Sequence, residues 1–310
     1  MTASLARGAL LLFVLTSMVS PASASVRPST QVCEPSLAAA IPERAFDAVD
    51  ASAFVAEARD LSGEAREQRI LKELTAGNVP DFLRQLHPVT FRGDSGSGAG
   101  TAVTLCVTPD YLAVGSDEDF LRVPMGLDTA LVIAQRFGFG LPTTKIVDAI
   151  YAQAEGRLAP RPMKPGPQMT STDYYSRHNR TVEQQRNAEG VSLGALLAGH
   201  KKDLVLSNRL RSKPGRVAIY GWHRPGGKPI QPLSTVHGAE YADYSHGVRL
   251  VSAVAYVDGE ERPLFDVLED PKLASLISRE GRIPDAEKLA LTNSKASLQV
   301  AAAKPAKRDG

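Results

Sequence analysis

Apolar residues recur at helical spacing against charged ones from residue 44 onward. Phe54, Val55, Ile70, Leu71 and Leu74 are set among Ala, Glu and Arg, which predicts helix across 44–76, and 81–86 adds a short helical turn. The period then shortens to two. Strands are predicted over 88–92, 101–107, 111–114 and 120–123, separated by a Gly/Ser-rich loop (93–100) and an acidic turn (116–119). Helical spacing returns over 128–136 and 143–155, with Thr143 or Thr144 as the cap of the second helix. Pro160, Pro162, Pro165 and Pro167 remove backbone donors and favour extended chain, so 158–167 reads as a linker or a surface strap. A polar helix over 171–186 follows, then strands over 203–207, 216–222 and 248–257. The last of these meets Asp258-Gly259, a hairpin signal, and short helices over 264–277 close the pattern.

Strands and helices come in clusters rather than in regular βαβ alternation. The predicted fold is therefore α+β: N-terminal helices, then a mixed or antiparallel sheet with helices packed on it, in a single integrated globular domain over 44–292. Residues 25–43 read as an extended N-terminal segment, and 293–310, rich in Ala, Lys and Ser, as a disordered tail.

The first residues bear on the compartment. Arg7 precedes an apolar run from Gly8 to Val19, and Pro21-Ala22-Ser23-Ala24 supplies small residues at a cleavage site. This is the pattern of a secretory signal peptide over 1–24, cleaved near Ala24, so the chain is expected to be secreted or periplasmic with no transmembrane segment after cleavage. An oxidising compartment favours a disulfide between Cys33 and Cys106, the chain's two cysteines. Hydrophobic residues make up 43% and charged residues 23%, ordinary for a globular domain, and a net charge of +2 builds no field that would draw nucleic acid.

Candidate chemistry concentrates between Trp222 and Arg249, which hold three of the six histidines and the one tryptophan. Imidazole titrates near neutral pH and is the commonest metal ligand. One reading is acid–base chemistry: His237 and His246 as acid and base, Asp243 as orienter, and Tyr244 or Ser245 as the hydroxyl, with Trp222, His223 and Arg249 binding substrate. A second reading is zinc. His237, Glu240, Asp243 and His246 stand three residues apart, and His223 could join them. Gly238 and Gly247 interrupt any helix there, and three-residue steps drift round a helix by about 60° each, so no cofactor is favoured. Arg249, Lys201 and Lys202 read as surface charges or, near a site, as donors to a carboxylate. His178 and Asn179, following Tyr174 and Tyr175, form a second candidate cluster. The acidic run Asp117-Glu118-Asp119 lacks calcium-loop spacing and reads as a solvated turn.

Ser245-His246-Gly247-Val248-Arg249-Leu250 resembles the Ser-His-Gly-Cys-Ile/Val-Arg-Leu signature of the secreted L,D-transpeptidases that crosslink peptidoglycan, which also carry an upstream His-Gly like His237-Gly238. Val248 stands where that signature has its nucleophilic cysteine, and the interval from His237 to Ser245 is shorter. Residues 216–222 resemble the central strand of papain-like cell-wall peptidases. Longer runs, among them Lys201 to Asn208 and Tyr220 to His223, resemble a family of secreted bacterial proteins; this implies one integrated domain and carries no activity. Together these readings lead to the expectation of an exported hydrolase acting on a polar extracellular polymer such as peptidoglycan or a related glycan. The alternative is a non-catalytic envelope protein that binds wall fragments in an aromatic and histidine groove.

Overall fold

A computed structural model of the chain describes residues 32–93 and 100–292. The expected signal peptide, the tail over 293–310 and the centre of the Gly-rich loop lie outside the described residues. Alternation along the strands builds the main sheet. β1 (His87–Gly93) and β2 (Thr101–Val107) form an antiparallel hairpin with Val89 opposite Leu105. β2 sends Val103, Leu105 and Val107 into one core and Cys106 into the other, as a period of two requires.

The remaining strands are β3 (Ala113–Gly115), β4 (Phe120–Arg122), β5 (Phe139–Gly140), β6 (Gly156–Arg157), β7 (Leu197–Ala198), β8 (Lys202–Leu204), β9 (Ile219–His223), β10 (Pro229–Ser234), β11 (His246–Gly247), β12 (Val251–Val257) and β13 (Glu260–Pro263). The larger sheet runs β1-β2-β12-β13, with β5 also on β12. A second sheet runs β10-β9-β8-β11, antiparallel except for the parallel pair β8–β11. The architecture is the expected α+β.

The helices are α1 (Ala51–Ala58), α2 (Gly63–Thr75), α3 (Leu127–Phe137), α4 (Thr144–Gln153), α5 (Thr172–Ala188), α6 (Leu264–Glu269), α7 (Ala274–Ile277) and α8 (Ala286–Thr292). α1 and α3 pack into the core that contains Cys106, and α4 and α6 into the one that contains Leu105. Thr143 caps α4 through its side chain, which accepts from the Ile146 amide. Among the described residues no helix is long and apolar enough to cross a membrane.

Local expectations shift where tertiary contacts intervene. The stretch 44–76 forms two helices, because Ser62 is extended and Gly63 takes φ +51°. The described part of the N-terminal segment contains a 3-10 turn, Pro35–Ala38, with Ala38 and Ile41 in the core. The acidic run is more than a solvated turn: Asp119 accepts from the Ser52 amide at the start of α1, and Asp117 accepts from the Phe82 amide. β10, which lies outside the strands predicted from the sequence, carries Pro229 and Pro232. It lies at the sheet edge, where a missing donor costs no ladder bond.

Cys33 and Cys106 form the expected disulfide, with Cα atoms 5.5 Å apart and 73 residues separating them. Chain entropy for a loop of that length predicts that the Cys33→Ser/Cys106→Ser variant loses about 4 kcal/mol in urea unfolding. A loss within error would mean that the cross-link adds nothing to the packing of Ala38 and Ile41 in the core.

Candidate functional site

Two glycines and one strained residue shape the Trp222–Arg249 region. Gly221 and Trp222 both take positive φ, +111° and +57°. A left-handed tryptophan costs on the order of 1–3 kcal/mol and persists only where its surroundings hold it. Here the Trp222 amide donates to the Lys201 carbonyl at 3.0 Å. The turn breaks strand alternation, so Trp222 and His223 are both buried. Gly247 admits the ring of Tyr111, since a Cβ there would stand 2.5 Å from it.

β11 sets His246 opposite Lys202 of β8. His246 is 0% exposed, and neither ring nitrogen has a hydrogen-bond partner. Its Nε2 lies 4.0 Å from Asp243 Oδ2. Asp243 is held in turn: Oδ1 accepts from the Ser245 hydroxyl at 2.5 Å and the Ser245 amide at 2.8 Å, and Oδ2 accepts from the Tyr241 hydroxyl at 3.3 Å. On the solvent side His237 is half-buried and stacked on Tyr241, with ring centroids 4.2 Å apart, and 6.0 Å from the His246 ring. Lys202 sits over the Trp222 ring at 5.2 Å. Burial lowers the pKa of both His237 and His246. Asp243 is lowered despite burial, by His246 and by its hydrogen bonds with Ser245. Two neutral imidazoles beside an ionised carboxylate make a proton-accepting site.

The other expected site residues are placed elsewhere. Arg249 is 1% exposed; it donates to the Thr108 and Leu197 carbonyls and lies over Tyr111, so it braces strands instead of meeting a ligand. His223 is buried against Tyr151 and bonds Asp148 at 2.8 Å, in a cluster with Tyr220 and Arg279. The Ser245 hydroxyl is committed to Asp243, and the Tyr244 hydroxyl accepts from the Met163 amide of the 158–167 segment at 2.7 Å. Residues 158–166 of that segment form neither helix nor strand, and a 3-10 turn begins at Pro167. Lys201, expected at the surface, is 1% exposed. Val248, at the cysteine position of the transpeptidase signature, is 0% exposed in the core. Glu240 is exposed, and among the described residues no three His, Cys, Asp or Glu side chains gather so as to hold a metal ion.

Sequence reasoning missed Tyr241 and, more completely, a buried ionic chain. Arg122 of β4 donates to Asp110 at 2.8 and 2.5 Å, to Asn179 at 3.0 Å and to Glu183 at 2.8 Å. His200 Nε2 reaches Asp110 at 3.0 Å. Asp203 accepts from the Tyr111 hydroxyl at 2.9 Å. These residues are scattered over some ninety positions and share no motif; only the fold brings them together. An open polar hollow of about 440 Å³ lies at one end of this chain, against Asp117, Glu118 and α5, away from the histidine pair.

These burials set the pH response of the fold. Burial pushes His200 down to about 4, and lowers His178 and His246 too. Below about pH 6.5 the unfolded chain protonates these three while the folded chain does not, so stability rises with pH through that window. Burial raises Asp203 to about 6, which makes the folded chain hold one extra proton above pH 4 and opposes one histidine. The net is just under two protons near pH 5, so stability should fall by about 2–3 kcal/mol per pH unit between pH 6 and 5, and less steeply towards pH 4, where His200 and His246 take up protons in the fold. Urea midpoints across that range test this, and a flat profile would mean that the buried histidines are charged in the fold.

Compared with protein-family models, curated proteins and solved structures, the chain matches none.

Proposed function

We propose that this chain is an exported hydrolase-like enzyme acting on a polar extracellular polymer, with peptidoglycan or a related glycan favoured, through histidine and aspartate acid–base chemistry. The observation that carries the reading is His246: fully buried, with both ring nitrogens unpartnered, beside an ionised Asp243 and behind a half-buried His237. Buried polar groups without partners are rare in folded proteins and ask for an explanation. His237 is the group that a substrate can reach; it takes the proton from the attacking water and returns it to the leaving group as the scissile bond breaks. Asp243 stabilises the imidazolium that forms, His246 is the inner partner, and Ser245 and Tyr241 orient Asp243. Tyr241, stacked on His237, offers a flat face beside it that suits a polar substrate with flat faces. The disulfide and the apolar leader both support export.

The test is incubation of protein comprising residues 25–310, analysed for bound metal, with purified cell wall, followed by mass spectrometry of the soluble fraction. New wall fragments are expected. Wall binding without any product would replace the enzyme by an envelope binding protein, and stoichiometric zinc would reassign the chemistry to a metal.

A further inference from the structure

A second set of polar groups surrounds Tyr244 and takes no part in the acid–base site. His178 of α5 is 0% exposed, and neither ring nitrogen has a partner. Trp222 Nε1 is buried and also lacks one. Lys201 is 1% exposed and gives its ammonium one acceptor, the Tyr244 carbonyl at 2.7 Å. Among the described residues, no carboxylate pairs with Lys201. The Tyr244 ring lies 5.0 Å from that of His178 and 6.4 Å from that of Trp222. The Trp222 amide binds the Lys201 carbonyl, so the three residues frame one tyrosine.

Their unmet need is specific. Indole nitrogen only donates, an ammonium carries three donors, and a neutral imidazole adds one more. The set thus has an excess of donors, a positive charge and a single acceptor. A buried water could accept two of these bonds but would not answer the charge. A carboxylate supplies up to four acceptor positions and the opposite charge. Burial pushes Lys201 down to about 7, so an anion would also hold its proton in place.

We infer that the Lys201, His178 and Trp222 donor set binds a carboxylate, that of a small organic acid or of a peptide carboxyl terminus. Entry runs past the strap. Met163 and Lys164 cross the hydroxyl ends of Tyr244 and Tyr174, and the ties there are side-chain bonds, Met163 N to Tyr244 and the Tyr174 hydroxyl to the Lys164 carbonyl at 2.6 Å. With prolines on either side, this part of the strap can lift without breaking a sheet ladder.

The single tryptophan makes the test direct, because one indole N–H resonance reports on the set. The whole chain is titrated with sodium acetate, at constant ionic strength made up with chloride, and followed by ¹⁵N correlation NMR. N-acetyl-alanyl-alanine and its carboxyl amide are titrated in parallel. The indole resonance should move saturably with acetate and stay still in chloride. Tighter binding of the dipeptide acid than of acetate assigns the site to a peptide terminus; the reverse assigns it to a small acid. Lys201→Met should weaken the affinity about tenfold or more, the loss expected for a charged hydrogen bond. His178→Phe should weaken it too, and decides the matter should the lysine variant not fold. An indole signal unmoved by acetate and dipeptide acid, saturable binding of the dipeptide amide as tight as that of the acid, or unchanged affinity in His178→Phe would overturn the inference. The readout is binding, so an inactive protein on cell wall leaves this result intact, and the converse holds.

Discussion

Arg122→Met should destabilise the fold by about 3–5 kcal/mol, the cost of breaking a buried ion pair from one side. Arg122 and Asp110 are 1% and 3% exposed. The guanidinium makes two bonds to Asp110 and one each to Asn179 and Glu183 through its side-chain nitrogens, tying β4 to α5. Its removal leaves the Asp110 carboxylate with the His200 ring and the Tyr111 amide as its side-chain oxygens' remaining donors. Arg122 and His200 together hold the Asp110 carboxyl far below its ordinary value despite burial, which is the same attraction seen from the acid. Urea unfolding at pH 7 measures the loss. The pair Arg122→Met/Asp110→Asn should recover part of it, because the uncompensated charge is then gone. A single-variant loss under about 1 kcal/mol would show that the charge is not trapped in the interior.

The second large effect separates activity from stability. His246→Leu should lower turnover on cell wall by about 10²-fold, the cost of displacing the Asp243–His237 pair, since His246 is 0% exposed and meets no substrate itself. The same change should leave the melting temperature unchanged or raised. Leucine fills a site where both imidazole nitrogens lack partners, so the substitution removes two buried unsatisfied atoms and breaks no hydrogen bond. A functional residue held at the expense of stability behaves in this way. His237→Ala should match the loss of turnover with a smaller change in stability, since that ring is half-buried. Turnover within twofold of the parent in His246→Leu would sink the assignment. Lost turnover together with lost stability would make His246 a packing residue.

Much of the framework could be read from local pattern. The β2 strand over 101–107, the helices near 128–136, 143–155 and 171–186, the hairpin turn at 258–259 and the proline strap follow from periodicity and from Pro and Gly chemistry, which act within a few residues. The region to examine was legible too, since His237, Asp243 and His246 are close in sequence and remain close in space. Roles were less legible. Arg249 and Lys201 look like surface charges because such residues are seldom buried, and no local signal marks the Thr108, Leu197 and Tyr244 carbonyls that receive them. His223 resembled a neighbour of the other histidines until the positive φ angles of Gly221 and Trp222 turned it toward Asp148, 75 residues away.

By itself, then, the sequence determined most of the elements, the α+β class, the cysteine pair available for a disulfide, and the segment in which histidines gather. Each depends on neighbours along the chain: a period, a cap, a turn, a count. The tertiary structure alone decided which charges are buried and which partners they meet. It placed Asp110, Arg122, Asn179, Glu183 and His200 in one ionic chain, and it left His246, His178 and the Trp222 indole buried without partners. Burial and hydrogen bonding belong to the packed chain, because the cost of desolvating a group and the partners that offset it are set by residues far away in sequence.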